Sequence, residues 1–241
     1  MKLFLTACFS LLMTLGALAQ LENNPLDKKK DWKKVDLSDR PKDHLLIQFG
    51  YHNWAKTPDS INTTGFSNSF NIYFLFDFPF KTNPRLSVAI GAGVGTDNMY
   101  FERTRIDLTP VTEVRFIRDT VVSYKKYKLA TGYLELPLEL RYSSNPENMN
   151  RGFKAAIGAK IGMSYDGHTK AKIDRDENGL GGYTIKEKDR THFNTPRIAG
   201  TLRLGWGNIS AFGTYTFNGL FKETRGPDVR TWSAGLCFSG L

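Results

Sequence analysis

The strongest constraint on this chain is an alternation with a period of two residues that recurs along most of its length. Between residues 133 and 141, leucine occupies every second position. The positions between the leucines hold Tyr133, Glu135, Pro137, Glu139 and Arg141. Successive side chains of an extended strand point to opposite faces, so the leucines share one face and the charges share the other. The segment is therefore predicted to be a β-strand with one apolar and one polar face.

Eight segments between residue 43 and the C-terminus follow this pattern. They lie at about 43–53, 66–80, 86–95, a stretch that ends at Tyr142, 153–165, 197–206, 209–217 and 231–238. Short connections rich in turn residues alternate with long polar ones, the longest at about 102–126 and 168–192. This arrangement predicts an all-β fold, an eight-stranded antiparallel transmembrane up-and-down β-barrel.

The two faces of these segments differ in a way that favours a membrane. No apolar face contains a charge, as contact with hydrocarbon requires, because a Lys or Arg at the membrane midplane costs about 2–4 kcal/mol. The opposite faces are rich in Gly, Ala, Ser and Thr, which suit the lumen of a narrow barrel. Aromatic residues, among them Trp54 and Phe101, gather near both strand ends, as in interfacial girdles. A soluble lipocalin-like barrel, with its apolar face inward, stays open as an alternative.

Charged residues on the small-residue faces carry both signs. We predict that they meet inside the barrel as a structural, hydrogen-bonded charge network rather than as a path for ions. A barrel of eight strands is normally filled by its own side chains, so we expect no wide pore. The residues of this predicted network are Asp77, Glu135, Glu139, Arg141, Lys154, Lys160, Arg197 and Arg203.

The first 42 residues differ in composition from the remainder. Lys2, an apolar run and the Ala17-Leu18-Ala19 end predict a signal peptide over 1–19 that directs export. Residues 20–42 are polar and charged, and we interpret them as a periplasmic N-terminal segment. The barrel domain is predicted to occupy 43–241. Cleavage after Ala19 would leave Cys237 as the single thiol, so no internal disulfide is expected.

Composition argues against several classes of protein. The formal charge of +9 is dispersed over the chain, apart from the lysines of 28–34, so we expect no nucleic-acid binding. The four histidines are scattered and far from the cysteine, so we expect no metal site and no cofactor. Outside the signal peptide, no stretch approaches the roughly 20 apolar residues of a transmembrane helix.

Two loop hypotheses compete with a solvated surface. A lipid-modifying hydrolase or acyltransferase would need a Ser–His–acid set at the rim. Its candidates are His168, His192, Ser123, Ser164, Asp166 and Glu187. A calcium-stabilised loop would use Asp174, Asp176, Asn178 and Gly179, but Ile185 stands where the distal acidic ligand should be. Because no spacing selects these residues, we expect solvated loops and no enzymatic activity.

Three stretches resemble a known family. They are Tyr-Leu-Glu-Leu-Pro-Leu-Glu-Leu-Arg-Tyr (133–142), the Gly-rich 89–95 and the closing Trp-Ser-Ala-Gly-Leu-Cys-Phe (232–238). They are similar to the outer-membrane β-barrel domain family of Bacteroidota often labelled PorT-like, over about 43–241. The resemblance implies an eight-stranded barrel in the cell outer membrane. It implies no single activity, because only some members of that family are tied to protein secretion.

We therefore expect a small outer-membrane barrel with a structural, anchoring or partner-binding role. One such role is that of an accessory to an envelope or protein-secretion assembly. Its expected partners are outer-membrane lipid, the barrel-insertion machinery and envelope or secretion proteins. The lipid-modifying enzyme and the soluble ligand-binding barrel are the alternatives.

Overall fold

The computed structural model of this chain describes residues 44–58, 61–110, 112–118, 124–173 and 182–240. The predicted signal peptide, the whole of the segment 20–42 and the calcium-loop residues 174–179 lie outside them. In the part of the chain that the structure describes, no helix has the length and apolar character needed to cross a membrane.

Eight antiparallel strands among the described residues form a closed barrel, which confirms the predicted fold. Their order around the barrel is β6-β3-β2-β1-β11-β10-β9-β7, and pairing of β6 with β7 closes the sheet. The barrel strands are β1 (Leu45–Ala55), β2 (Asn68–Pro79), β3 (Leu86–Phe101), β6 (Lys126–Ser143), β7 (Phe153–Ile173), β9 (Arg197–Trp206), β10 (Ile209–Thr216) and β11 (Arg230–Ser239).

The distribution of apolar side chains is the reverse of that in a soluble barrel. The leucines at 134, 136, 138 and 140 are exposed on the outer surface, whereas Glu135 and Arg141 between them are buried. The same holds for β2, where Phe74 and Phe76 are exposed and Tyr73 and Leu75 face inward. An outer surface of this kind suits hydrocarbon. The soluble barrel with an apolar interior is therefore not the observed arrangement.

Two regions predicted as polar loops contain strands instead. The connection at 102–126 contains a hairpin of β4 (Thr104–Asp107) and β5 (Arg115–Arg118). In the connection at 168–192, β7 continues to Ile173 and pairs with β8 (Tyr183–Lys188). The predicted loops were wrong there because β5 and β8 are largely exposed on both faces, so no buried apolar face gives their sequences a strong period-two signal.

The aromatic girdle at the long-loop end also needs correction. Trp54 and Phe101 are 5% and 3% exposed, so neither faces lipid. Trp54 follows the buried His52 by two residues, and Phe101 follows the buried Asp97 by four, so each ring lies on the inward face of its strand. These two rings pack edge to face, with centroids 5.2 Å apart, above the lumen. Tyr51, Tyr165, Tyr215 and Phe217 do lie on the outer surface.

Gly207 and Asn208 form the tight turn between β9 and β10. Gly207 has a positive φ of 59°, a left-handed conformation that glycine adopts without strain. The turn aligns Trp206 with Ile209. It therefore sets the register that places Arg203 in the lumen and Leu204 outside.

Candidate functional site

The lumen contains two charge clusters. Glu135 lies at the centre of the one nearer the long connections, which we call the upper cluster. Its Oε2 accepts a hydrogen bond from Lys160 Nζ at 2.9 Å and another from the hydroxyl of Tyr73. Lys160 Nζ also donates to the Tyr73 hydroxyl at 2.8 Å. Glu135 is 2% exposed and Lys160 is 5% exposed, so bulk water screens this ion pair little.

Arg197 extends the upper cluster across the barrel. Its Nη1 lies 2.9 Å from Asp97 Oδ2 and 3.5 Å from Glu135 Oε1. Its other nitrogens donate to the Thr216 and Thr231 hydroxyls, at 3.2 and 3.3 Å. The guanidinium also stacks on the ring of Tyr133, 4.3 Å from its centroid. One arginine from β9 thus ties together β3, β6, β10 and β11.

Glu139 forms the lower cluster with two arginines. Its Oε2 accepts from Arg141 Nε at 2.8 Å and from Arg203 Nη2 at 2.9 Å. Arg141 Nη1 lies 3.7 Å from Asp77 Oδ1, and that oxygen accepts from Ser87 Oγ at 2.6 Å. Shared carboxylate oxygens link charges from β2, β6 and β9.

Lys154, on β7, is 5% exposed and lies nearer the short-turn end of the barrel. It lines a cavity of about 10 Å³ together with Arg141, Arg203 and Met149. A volume of that size holds about one water molecule. All eight residues of the predicted network therefore have their side chains in the lumen, while the structural role assigned to them stays a prediction.

Glycines make room for the two glutamates. A Cβ at Gly162 would lie 2.9 Å from Glu135 Cγ, and one at Gly95 would lie 3.2 Å from Glu135 Oε2. A Cβ at Gly158 would meet Glu139 Cγ at 3.1 Å and the backbone oxygen of Leu138 at 2.3 Å. The small residues of the inward faces thus determine where a long charged side chain fits.

Sequence reasoning missed three polar members of the upper cluster: Asp97, His52 and Tyr73. Asp97 is 4% exposed and binds Arg197, and His52 Nδ1 lies 3.7 Å from Asp97 Oδ1. The signal for Asp97 was present, because it continues the alternation of Ala89, Gly91, Gly93 and Gly95 by one step. The predicted third strand ended at residue 95, whereas β3 continues to Phe101.

An apolar core closes the barrel above the upper cluster, at the end with the long connections. Tyr127 of β6 fixes the β4–β5 hairpin there, because its hydroxyl donates to Ile106 O at 2.7 Å and accepts from Ile106 N at 2.9 Å. We call this group the outer cap. Its buried members are Trp54, Ile61, Met99, Phe101, Ile106, Leu108, Val114, Tyr127, Leu129, Ala171, Phe193, Leu220, Phe221 and Val229.

The two histidines of the enzyme hypothesis have other contacts. His192 is fully buried, and its Nε2 lies 3.1 Å from Leu108 O in the outer cap. His168 Nδ1 lies 2.8 Å from Asp166 Oδ2, while Ser164 Oγ donates to the backbone oxygen of Asp166. Within the described residues, which do not include Ser123, no serine hydroxyl hydrogen-bonds to either imidazole. Nor do the described residues contain a group of three His, Cys, Asp or Glu side chains that could hold a metal ion.

Asp166 and His168 lie beyond the apolar outer surface, which ends on β7 at Tyr165. Burial lowers the pKa of His168 below 6.5 and outweighs the hydrogen bond and attraction of Asp166, which raise it, while repulsion from Lys186 and Lys128 makes a smaller contribution that also lowers it. Burial alone would raise the pKa of Asp166, but hydrogen bonds from Lys188 and His168 lower it. His168 is therefore neutral and Asp166 is ionised near pH 7.

Comparison with known proteins gives one family. The family model described as outer membrane protein beta-barrel domain matches residues 45–226, which begin at the first residue of β1 and end just before β11. No curated protein matches the chain.

Proposed function

Since the chain belongs to the outer membrane protein beta-barrel domain family, we propose that it works through its surface. In this proposal it is a filled barrel that anchors or binds other envelope components, and it is neither a diffusion pore nor an enzyme.

The filled lumen carries the proposal. Lys160 on β7 contacts Glu135 on β6, Arg203 on β9 contacts Glu139 on β6, and Arg197 on β9 reaches across the lumen to Asp97 on β3, each at 2.9 Å. A solute passing through would have to separate these pairs. Removing one partner of a buried ion pair typically costs about 3–5 kcal/mol, so such separation is rare at equilibrium.

The outer cap supports the same conclusion. Its side chains come from all the long connections, with Ile61, Ile106, Phe193 and Phe221 as examples. A pore would leave water between these loops, whereas here their apolar side chains pack against one another. The surfaces left for function are the outward faces of the strands and loops.

Single-channel recording in planar bilayers tests the absence of a pore. The refolded chain over residues 20–241 is inserted at low protein concentration, with a general porin as the positive control. We expect no stable conductance steps from this chain. Steps that recur with one amplitude and scale with salt concentration would overturn the proposal.

Photo-crosslinking in cells tests the surface role. A crosslinking amino acid at Ile157, which is 62% exposed on the barrel wall, or at Ile185 on β8 should yield discrete protein adducts. The same probe at Ala199, which is fully buried in the lumen, serves as the matched control. Adducts of equal yield at all three positions, or none at the exposed two, would contradict partner binding.

The accessory role in secretion and the export through a signal peptide can each be tested separately. The PorT-like resemblance supports an accessory role in a protein-secretion assembly, so mass spectrometry of the adducts should find secretion or envelope proteins. Export through the signal peptide 1–19 predicts that the mature protein in the outer-membrane fraction begins at Gln20, which N-terminal sequencing checks. A chain that begins at Met1 would contradict that assignment.

A further inference from the structure

Six lysines lie together on the part of the sheet that extends beyond the apolar outer surface. Lys126 pairs with Lys172 across β6 and β7, and Lys128 pairs with Lys170. Lys170 in turn pairs with Lys186 on β8. Residues that are directly opposite on neighbouring strands point to the same side of the sheet. We call this group the lysine face: Lys126, Lys128, Lys170, Lys172, Lys186 and Lys188.

The lysine face points away from the protein. Tyr127 and Leu129 on β6, and Ala171 on β7, are buried in the outer cap, so the residues between them point outward. Lys126 and Lys128 also continue the parity of the exposed leucines of β6. Five of the six lysines are exposed, and Lys128 is half-buried.

The lysines have few acidic partners. Asp166 binds Lys188 at 2.9 Å but also engages His168, and Glu187 lies on the other side of β8, where it binds Arg105 at 3.2 Å. Lys128 Nζ donates to a neutral acceptor, Asn98 Oδ1, at 2.7 Å. Among the residues that the structure describes, no carboxylate pairs with Lys170, Lys172 or Lys186.

Such an arrangement is unfavourable for the isolated protein. Like charges directly opposite on neighbouring strands destabilise a sheet, and here two such lysine pairs are adjacent, with a third lysine row on β8. Burial and repulsion from Lys170, Lys126 and Lys186 together lower the pKa of Lys128 below its usual value. An anionic ligand would turn this repulsion into attraction.

The height of the lysine face matches that of lipid headgroups. The last outward aromatic of β7 is Tyr165, and His168, Lys170 and Lys172 follow it by three to seven residues. With a rise of about 3.3 Å per residue and a strand tilt of about 40°, these positions lie roughly 8–18 Å above the aromatic ring. Lysine side chains are long enough to reach back toward the membrane surface.

We propose that the lysine face binds the phosphate groups of anionic lipid headgroups in the outer leaflet of the outer membrane. The long connections of outer-membrane barrels face the cell exterior, which places the face against that leaflet. This inference requires insertion in the outer membrane, but it does not depend on the filled lumen. A failure of the lipid-binding test and a failure of the conductance test are therefore distinguishable.

The test measures binding of lipid A, a phosphorylated glycolipid, to the refolded chain in a neutral detergent. The test variant is Lys128→Gln/Lys170→Gln/Lys186→Gln. The matched control is Lys56→Gln/Lys81→Gln/Lys222→Gln, which removes the same charge from exposed lysines outside the face. The triple Lys→Arg variant at 128, 170 and 186 keeps the charge. Heat-dependent gel migration confirms that each variant is folded.

We expect lipid A to bind the native chain and the Lys→Arg variant with similar affinity. At roughly 5-fold per lysine, the test variant should bind about 100-fold more weakly. The control variant should stay within about 3-fold of the native chain. Binding should weaken steeply as salt rises, because exposed charges are screened.

Three outcomes would overturn the proposal: equal weakening in the test and control variants, unchanged binding in the test variant, or equal affinity for lipid A from which the phosphates have been removed. Competition with inorganic phosphate distinguishes a lipid headgroup from free phosphate as the ligand of the lysine face. Displacement of lipid A by phosphate at millimolar concentration would assign the face to free phosphate and reject the lipid. Retention of lipid A at that concentration supports the lipid.

Discussion

Replacing Glu135 with leucine should measure how much the upper charge cluster contributes to stability. The substitution removes the carboxylate that accepts from Lys160 Nζ at 2.9 Å and from the Tyr73 hydroxyl. Lys160 would keep only its hydrogen bond to Tyr73, at 2.8 Å, in a site where it is 5% exposed. Arg197 would keep Asp97 at 2.9 Å, so the main loss falls on Lys160.

The expected magnitude follows from the cost of an uncompensated buried charge. Breaking a buried pair by removing one partner costs about 3–5 kcal/mol, whereas replacing both partners with apolar residues is often neutral. Glu135→Leu should therefore lower the free energy of unfolding by about 3–5 kcal/mol. The double variant Glu135→Leu/Lys160→Met should recover most of that loss.

The assay is reversible unfolding in guanidinium of the chain folded into phosphatidylcholine vesicles, followed by tryptophan fluorescence. Glu223→Leu is the control, because Glu223 is exposed outside the barrel wall, and its effect should stay within about 0.5 kcal/mol. The coupling energy of the double-mutant cycle isolates the Glu135–Lys160 pair. A coupling near zero, or a loss for Glu135→Leu no larger than that of Glu223→Leu, would refute the reasoning.

Three further predictions concern other parts of the barrel. Glu139→Leu should also destabilise the barrel by about 3 kcal/mol or more and lower the temperature at which its folded gel band disappears, because Arg203 loses its contact at 2.9 Å; an unchanged temperature would count against the network. Gly158→Val should reduce folding yield into vesicles, because even its Cβ would lie 2.3 Å from a backbone oxygen of β6, whereas Gly213→Val, whose Cβ meets nothing within 4 Å, should fold normally. Acidification below pH 6.5 should loosen the β7–β8 pairing, because burial lowers the pKa of His168 in the folded protein. The unfolded segment therefore takes up a proton at a higher pH than the folded one, and stability falls with pH until the pKa of the folded state is reached. Hydrogen exchange of the β8 amides between pH 7.5 and 5 checks this, and the same pH dependence in His168→Asn would contradict it.

The alternation in the sequence determined the barrel and the facing of its strands. Leu134 and Glu135 are adjacent in the chain, and their opposite placement follows from strand geometry alone. The exclusion of charge from one face favoured contact with the membrane, but the interior of a soluble barrel excludes charge as well, so the exposure of the β6 leucines in the tertiary structure was needed to decide between the two. The sequence also located eight charged residues of the lumen, because each continues the small-residue face of its strand, although it missed Asp97.

The pairing of those charges was decided only by the tertiary structure. Lys160 and Glu135 are on neighbouring strands, but Arg197 and Asp97 meet across the lumen, and such partners depend on closure and register of the whole sheet. The outer cap was hidden for the same reason, because Ile106, Phe193 and Phe221 come from connections whose local sequence is mostly polar. Period-two patterns report which face a side chain occupies, while contacts between distant segments arise only when the chain closes into a barrel.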